Sequence, residues 1–328
     1  MLDLASIDRT LAERLATERD EVVVIFERQL ASELSAVNGL CLHIEQYRGK
    51  MLRPTLVLLA GVAGVGHADV LDDRHRRVAA VVEMIHMATL VHDDVLDEAE
   101  IRRSGRTVNA LWGNEAAVML GDYLISNAFH LCSTIGDPAI NLALGEITNT
   151  LCEGELSQLQ HRNSYGVDEA TYFEIIRRKT ASLIGECCRL GGWLSGASPE
   201  ICAELRRAGD ALGVAFQIQD DVLDLVGDEA TVGKSLGRDL EKGKVTLPLI
   251  YALDRAEPSD RGDILRLVRA GEAEALRTRL IDTGAVNASR RVARTYVDDA
   301  KSALSALPPS SARRLFEHLA DSVVERQR

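Results

Sequence analysis

The chain's 328 residues are 46% hydrophobic and 27% charged, enough to bury a large core as one big domain or two small ones. A formal net charge of −12 argues against general nucleic-acid binding, though not against a phosphorylated substrate met by local cations. The longest apolar run, Thr55 to Gly66, is shorter than the roughly 18–20 residues of a membrane span, and Met1 to Ala5 lack a signal-peptide pattern, so a soluble, cytoplasmic protein with no transmembrane segment is expected.

Residues 6–47 read as helix, with Leu11, Leu15, Val22, Ile25, Phe26 and Leu30 at helical spacing. Gly49 marks a break, and Pro54 suits the first turn of the next helix. Lys50 and Arg53 therefore stand at a loop-to-helix junction, where free N–H groups favour an anion; the plainer alternative is two surface cations. His67 to Arg77 reads as a polar connection, and Arg77 to Ala99 as a long helix ending in Asp93-Asp94-Val95-Leu96-Asp97. Arg102 and Arg103 follow closely, either as cations meeting the helix dipole or folded back over a bound anion.

Further helices are expected over 107–135 and 139–160, with a turn at Gly136-Asp137-Pro138. Asp168 or Thr171 starts the helix that carries Lys179-Thr180. Residues 200–226 form the next, which ends in Asp220-Asp221-Val222-Leu223-Asp224 and holds Gln217 on the same face as Asp220 and Asp221. The Gly- and Lys-rich stretch from Gly233 to Lys244 is either a solvated loop or a lid that brings Lys234 and Lys244 to a phosphate. From Val245 on the pattern is helical, broken at Pro258, Gly271, Gly284 and Pro308-Pro309. With no strand alternation of useful length, no solenoid repeat and no linker, the expected architecture is all-α: one domain, 1–328, of roughly ten or more helices around a central cavity. The six cysteines (Cys41, Cys132, Cys152, Cys187, Cys188 and Cys202) form no C-x-x-C pair, and are expected to be plain buried or half-buried thiols.

The repeated D-D-V-L-D pattern organises the reading. On a helix Asp93 and Asp94 share a face with Asp97, as Asp220 and Asp221 do with Asp224, and like charges so spaced repel by roughly 0.2–0.5 kcal/mol per pair. Two such clusters on otherwise apolar helices point to cations between them. Hard carboxylate oxygens suit Mg²⁺, which keeps several waters and is completed by substrate phosphates.

Taken in order, these elements resemble the all-trans isoprenyl (polyprenyl) diphosphate synthases. The likeness rests on G-K-x-L-R-P (Gly49 to Pro54), D-D-x-x-D-E-A-x-x-R-R (Asp93 to Arg103), Lys179-Thr180, F-Q-x-x-D-D-x-x-D (Phe216 to Asp224), and Lys234 with Lys244. The chain departs from the pattern at Arg48, where the family has Gly, and at Ser104 and Arg106, where it has Gly and Pro. The resemblance implies Mg²⁺, about three ions per site, held by Asp93, Asp94, Asp97, Asp220, Asp221 and Asp224. It assigns the allylic diphosphate to Arg102, Lys179, Lys234 and Lys244, and isopentenyl diphosphate to Lys50, Arg53, His86 and Arg103. Thr180 and Gln217 would stabilise the allylic cation through oxygen dipoles. The reaction it implies is ionisation of the allylic diphosphate, attack by isopentenyl diphosphate and proton loss, in a homodimer.

Chain length is read from the helix below Asp93. Thr89, Ile85 and Val82 descend from the acid cluster at about 5.4 Å per turn, and Ala88 lies alongside. Short-chain members carry a bulky aromatic at the positions of Ala88 and Thr89, and no aromatic occurs from Val78 to Asp93. A deep pocket and a medium- to long-chain product are expected, with Leu144 and Ile147 as a facing wall. The alternatives are a short-chain synthase, a terpene cyclase or head-to-head synthase, a non-catalytic subunit of a heteromeric synthase, and an inactive scaffold.

Overall fold

The computed structural model describes residues 9–103, 105–226 and 238–326. They form two compact units, each assembled from separated stretches: Met1–Thr148 with Glu186–Arg207 and Ala303–Glu317, and Asn149–Gly185 with Ala208–Ser302 and His318–Arg328. Among the described residues the only strands are Ile101–Arg102 and Gly105–Arg106, a two-residue hairpin in which Ile101 faces Arg106. The expected all-α class stands.

In the first unit, α1 (Arg9–Leu30), α2 (Ser35–Ile44) and α3 (Leu52–Val65) precede α4 (Asp73–Leu96). After the hairpin come α5 (Val108–Trp112) and α6 (Asn114–Ser133). α4 packs on α6, α3 and α1 and is buried along most of its length, from Val78 through Ile85 and on to Met87, Ala88 and Val91. A helix apolar on all sides is stable only when surrounded, so α4 is the spine of this unit.

In the second unit, the latter part of α7 (Pro138–Gln160) and α8 (Glu169–Ile176) lead through a π turn (Arg177–Ala181) into α9 (Ser182–Leu194). α10 (Pro199–Val226) carries Val214, Ile218, Val222 and Leu225 into a core shared with Tyr172, Phe173 and Ile176. The helices Leu247–Arg255, Pro258–Ala270 and Ala273–Asp282 complete that core with Leu249, Ile264 and Leu276.

Some sequence expectations need correction. Residues 6–47 are not one helix: the Asn38 side chain accepts from Ser32 N at 2.9 Å and donates to the Ser32 carbonyl at 2.6 Å, and that competes with the helical ladder between α1 and α2. α4 begins at Asp73, earlier than Arg77, because Asp72 caps it and His75 returns a bond to the Asp72 N–H, a reciprocal capping box. The stretch 107–135 is divided at Gly113, whose φ of 86° separates α5 from α6. All six cysteines are free thiols, but Cys152 is exposed rather than buried.

Candidate active site

The first acid cluster stands at the C-terminal end of α4, and the second lies in the last part described of α10. Asp93 and Asp94 lie in the last turn of α4 with Asp97 as its C-cap, and Asp220, Asp221 and Asp224 in the last two turns described for α10. The dipole at the end of α4 disfavours anions by roughly 0.3–1 kcal/mol each. Carboxylates in this position are therefore stabilised by whatever cation reaches them.

In the first unit that cation is Arg102. Its Nε and Nη2 donate to Asp94 Oδ1 at 2.9 and 2.8 Å, with Asp94 buried. Burial still pushes the Asp94 carboxyl above its ordinary range, with Arg102 opposing. Its other oxygen, Oδ2, is buried without a hydrogen bond of ordinary geometry. The turn below is tied down by Ala99 N and the Asn109 side chain, which donate to the Asp94 carbonyl at 2.8 and 3.2 Å. Tyr47, fully buried, accepts from Val108 N at 3.1 Å, and its ring lies 5.9 Å from the Arg102 guanidinium carbon.

The basic residues expected from distant motifs meet here. Arg103 donates to the Tyr47 carbonyl, and its guanidinium fills the space beside Gly49 that a Cβ would occupy. Gly49 thus leaves room for the Arg103 guanidinium, which a side chain here would displace. His86 is held well below its ordinary pKa by burial and then by Arg53, Arg102 and Arg103, so it stands neutral among three guanidinium groups. Thr89 Oγ1 donates to the His86 carbonyl at 2.7 Å. Lys50 is exposed at the mouth of α3. Val82, Ile85 and Ala88 are completely buried on α4 and Thr89 is half-buried; Leu144 and Ile147 are buried as well. Arg48, a departure from the family pattern, bonds Glu27 at 2.9 Å and stacks over Phe26, which fastens the loop to α1.

In the second unit several short sets of bonds hold the expected residues. Lys179 Nζ pairs with Glu155 and donates to Gln158 Oε1 at 2.9 Å. Thr180 Oγ1 donates to Gln217 Oε1 at 2.9 Å, and Gln217 Nε2 donates to Asp221 Oδ1 at 2.9 Å. The Tyr172 hydroxyl donates to Asp221 Oδ2 at 2.6 Å. Burial, with the Asp239 charge adding to it, pushes the Asp221 carboxyl up to about 8. Asp239 N donates to Asp224 Oδ2 at 3.1 Å, and Lys244 Nζ lies 3.5 Å from Asp239 Oδ1. Lys244 is thereby brought beside the second cluster, whereas Lys234 lies outside the described residues. Arg326 closes the set: it pairs with Asp220 at 2.7 Å, donates to the Phe216 carbonyl at 2.7 Å and stacks 3.9 Å over the Phe216 ring.

The donor set fits a hard divalent cation, since every acidic side chain of both clusters presents carboxylate oxygens. Among the described residues no three His, Cys, Asp or Glu side chains converge at metal-ligand geometry. Sequence reasoning missed Tyr47, Glu83, Tyr172, Asp239 and Arg326. Glu83 is the one with a visible signal, a lone acid inside the apolar run of α4 three residues before His86. Burial raises its pKa against the opposing pull of Arg53, Arg103 and Arg48.

Comparison with known proteins gives a consistent answer. A sequence model of the family described as polyprenyl synthetase matches residues 35–281. Heptaprenyl diphosphate synthase component 2 of Geobacillus stearothermophilus is 37% identical over 311 residues, 94% of this chain and 95% of that one. A short chain isoprenyl diphosphate synthase of Methanothermobacter thermautotrophicus is 37% identical over 294 residues, 87% of this chain and 89% of its own. Among solved structures, a decaprenyl diphosphate synthase from Rhodobacter capsulatus superposes with a TM-score of 0.89 at 36% identity, over 97% of this chain and 99% of the other. A polyprenyl synthase from Caulobacter crescentus, complexed with calcium and isoprenyl diphosphate, gives 0.90 at 32% identity, over 96% and 98%.

Proposed function

The chain belongs to the polyprenyl synthetase family, and we propose that its two acid clusters and their basic neighbours carry out prenyl transfer on a pair of diphosphates. The enzyme is a trans-prenyltransferase that elongates an allylic diphosphate with isopentenyl diphosphate to a medium- or long-chain polyprenyl diphosphate. The observation that carries the residue assignment is the linked set Thr180–Gln217–Asp221–Tyr172, which ties the reacting-carbon residues to the second acid cluster.

Asp93, Asp94, Asp97, Asp220, Asp221 and Asp224 would hold Mg²⁺, about three ions by family resemblance. Mg²⁺ held by these carboxylates would supply Lewis-acid stabilisation of a departing diphosphate. Arg102, Lys179, Lys234 and Lys244 hold the allylic diphosphate. Lys50, Arg53 and Arg103 hold isopentenyl diphosphate as point charges and forks, with neutral His86 as a hydrogen-bonding neighbour. Thr180 and Gln217 present oxygens to the allylic cation, a stabilisation that depends on their being fixed beforehand. No protein nucleophile enters the reaction.

Product length belongs to α4. The small side chains of Ala88 and Thr89, with Ile85 and Val82 below them, line the path of the growing chain. A short-chain relative is as similar as a heptaprenyl one, so overall identity does not set the length.

The working form is a cytoplasmic homodimer. Leu34, Leu42, Trp112, Val118 and Met119 are 66%, 64%, 49%, 42% and 64% exposed on or beside the mutually contacting helices α2, α5 and α6, and this is the face we assign to the partner copy. Among the described residues no helix is long and apolar enough to cross a membrane.

Chelation tests the metal dependence. Protein stripped with EDTA and given both diphosphates is expected to release no diphosphate, and added Mg²⁺ to restore release. Full turnover in EDTA would remove the clusters from the mechanism.

A further inference from the structure

The π turn at Arg177–Ala181 carries both Lys179 and Thr180 and is closed by Ser182 N donating to the Arg177 carbonyl. A π turn inserts one extra residue into a helix and opens its ladder. Here the opened Arg178 carbonyl is taken by the Ser182 hydroxyl at 2.7 Å. Two glycines receive the widened backbone. A Cβ on Gly154 of α7 would stand 2.6 Å from Lys179 N and 3.0 Å from the Arg178 carbonyl carbon. A Cβ on Gly213 of α10 would stand 2.5 Å from Ala181 Cα and 2.9 Å from its Cβ. The colliding atoms are mostly main chain, so no side chain can swing away.

The residues that hold the functional side chains flank these glycines. Glu155 and Gln158 on α7, one and four places after Gly154, engage the Lys179 ammonium. Gln217 on α10, four places after Gly213 and so on the same face, engages the Thr180 hydroxyl and passes the contact to Asp221.

We propose that Gly154 and Gly213 are positioning residues of the allylic-diphosphate site: their missing side chains let the π turn seat against α7 and α10, and so fix Lys179 and Thr180 relative to Gln217 and Asp221. The inference rests on the prenyltransferase reading above. Neither glycine touches substrate; both act through the turn. A misplacement of about 1 Å costs on the order of 100-fold in rate, which is the scale a methyl group forces here.

The test measures steady-state kinetics of Gly154→Ala, Gly213→Ala and Gly145→Ala on full-length protein. Gly145 lies on the same α7 with nothing within 4 Å of a Cβ, and serves as control. Gly154→Ala and Gly213→Ala are expected to lower kcat by about 10- to 100-fold and to raise KM for the allylic substrate. KM for isopentenyl diphosphate should stay within about twofold, with Gly145→Ala unchanged. A merely structural role would lower Tm and the active fraction without splitting the two KM values, and that result overturns the inference. If the glycine variants do not fold, Ser182→Ala removes the bond to the Arg178 carbonyl without adding bulk. It is expected to show the same KM split to a smaller degree, and wild-type kinetics from it also count against the inference. Absence of prenyl transfer in the wild-type protein instead refutes the prenyltransferase reading on which the inference stands.

Discussion

At the scale of single residues, the site is governed by what each carboxylate touches. Asp94 and Asp221, the second acids of the two clusters, are both buried, and each is held by a partner from another element, Arg102 for the first and Tyr172 for the second, with Gln217 one turn back on α10 also donating to Asp221. Such partners orient a metal ligand without binding metal themselves, and their loss typically costs about 10- to 100-fold in metal affinity or activity. Tyr172→Phe is therefore expected to raise the Mg²⁺ concentration for half-maximal activity by about 10-fold or more, read from a Mg²⁺ titration at saturating substrates. It should also destabilise the protein by roughly 1–3 kcal/mol, because Asp221 Oδ2 loses its donor. An unchanged Mg²⁺ requirement would mean that Tyr172 only packs. The acids and Gln217 could be set on shared helix faces from the sequence because their spacing is local, whereas Lys179 and Thr180 were singled out only by the resemblance to the family. Tyr172 was not legible, since it reaches Asp221 across 49 positions, nor was Arg326, which reaches Phe216 across 110. Nothing local to a tyrosine in an apolar helix says which acid it will meet.

At the scale of elements, the sequence placed α7 and α10 to within one residue and misplaced the start of α4. The start of α4 depends on one reciprocal pair, Asp72 and His75, and that pair carries a pH signature. His75 is completely buried; Nδ1 faces Asp72 Oδ1 at 2.8 Å and Nε2 faces Ser195 Oγ at 2.9 Å. Burial holds its pKa below the ordinary value, opposed by Asp72 and by the Gly191 backbone, and reinforced by Arg74. In the folded state the ring thus stays neutral at pH values where the unfolded chain, titrating near 6.5, takes up a proton. The unfolded state binds more protons in that window, so stability falls as pH drops through about 6.5 toward the folded value. His86 shifts in the same direction and adds to the slope. His75→Gln keeps a side chain suited to the capping box and is expected to give a shallower fall of Tm between pH 7 and 5. A slope identical to wild type would exclude His75 from the linkage. The π turn escaped the sequence reading for a different reason. One extra residue within five leaves no periodic trace, and the glycines that accommodate it lie on other helices.

At the scale of the whole molecule, the family assignment and the residue chemistry agree, and the open quantity is product length. Ala88 is completely buried on α4, five residues before Asp93, and its smallness is what a deep pocket requires. Ala88→Phe is expected to shorten the longest product, at a cost in stability of about 1–3 kcal/mol from overpacking. Sized products of unchanged length would move the channel away from this face of α4. The basic and acidic elements recognised as an ordered set span most of the chain, which is why the fold class could be read from sequence. Product length could not, because it depends on how side chains of several helices fill one space.

The most direct test of the enzyme assignment is to incubate purified protein with labelled isopentenyl diphosphate, Mg²⁺ and farnesyl diphosphate, and to size the dephosphorylated products. The expected result is a ladder of all-trans chains that ends at a defined length above that of a geranylgeranyl chain. A stop at the geranylgeranyl length would keep the enzyme class and contradict the deep pocket below Asp93. No elongation from folded protein with any allylic starter would contradict the synthase assignment and leave a non-catalytic subunit in its place.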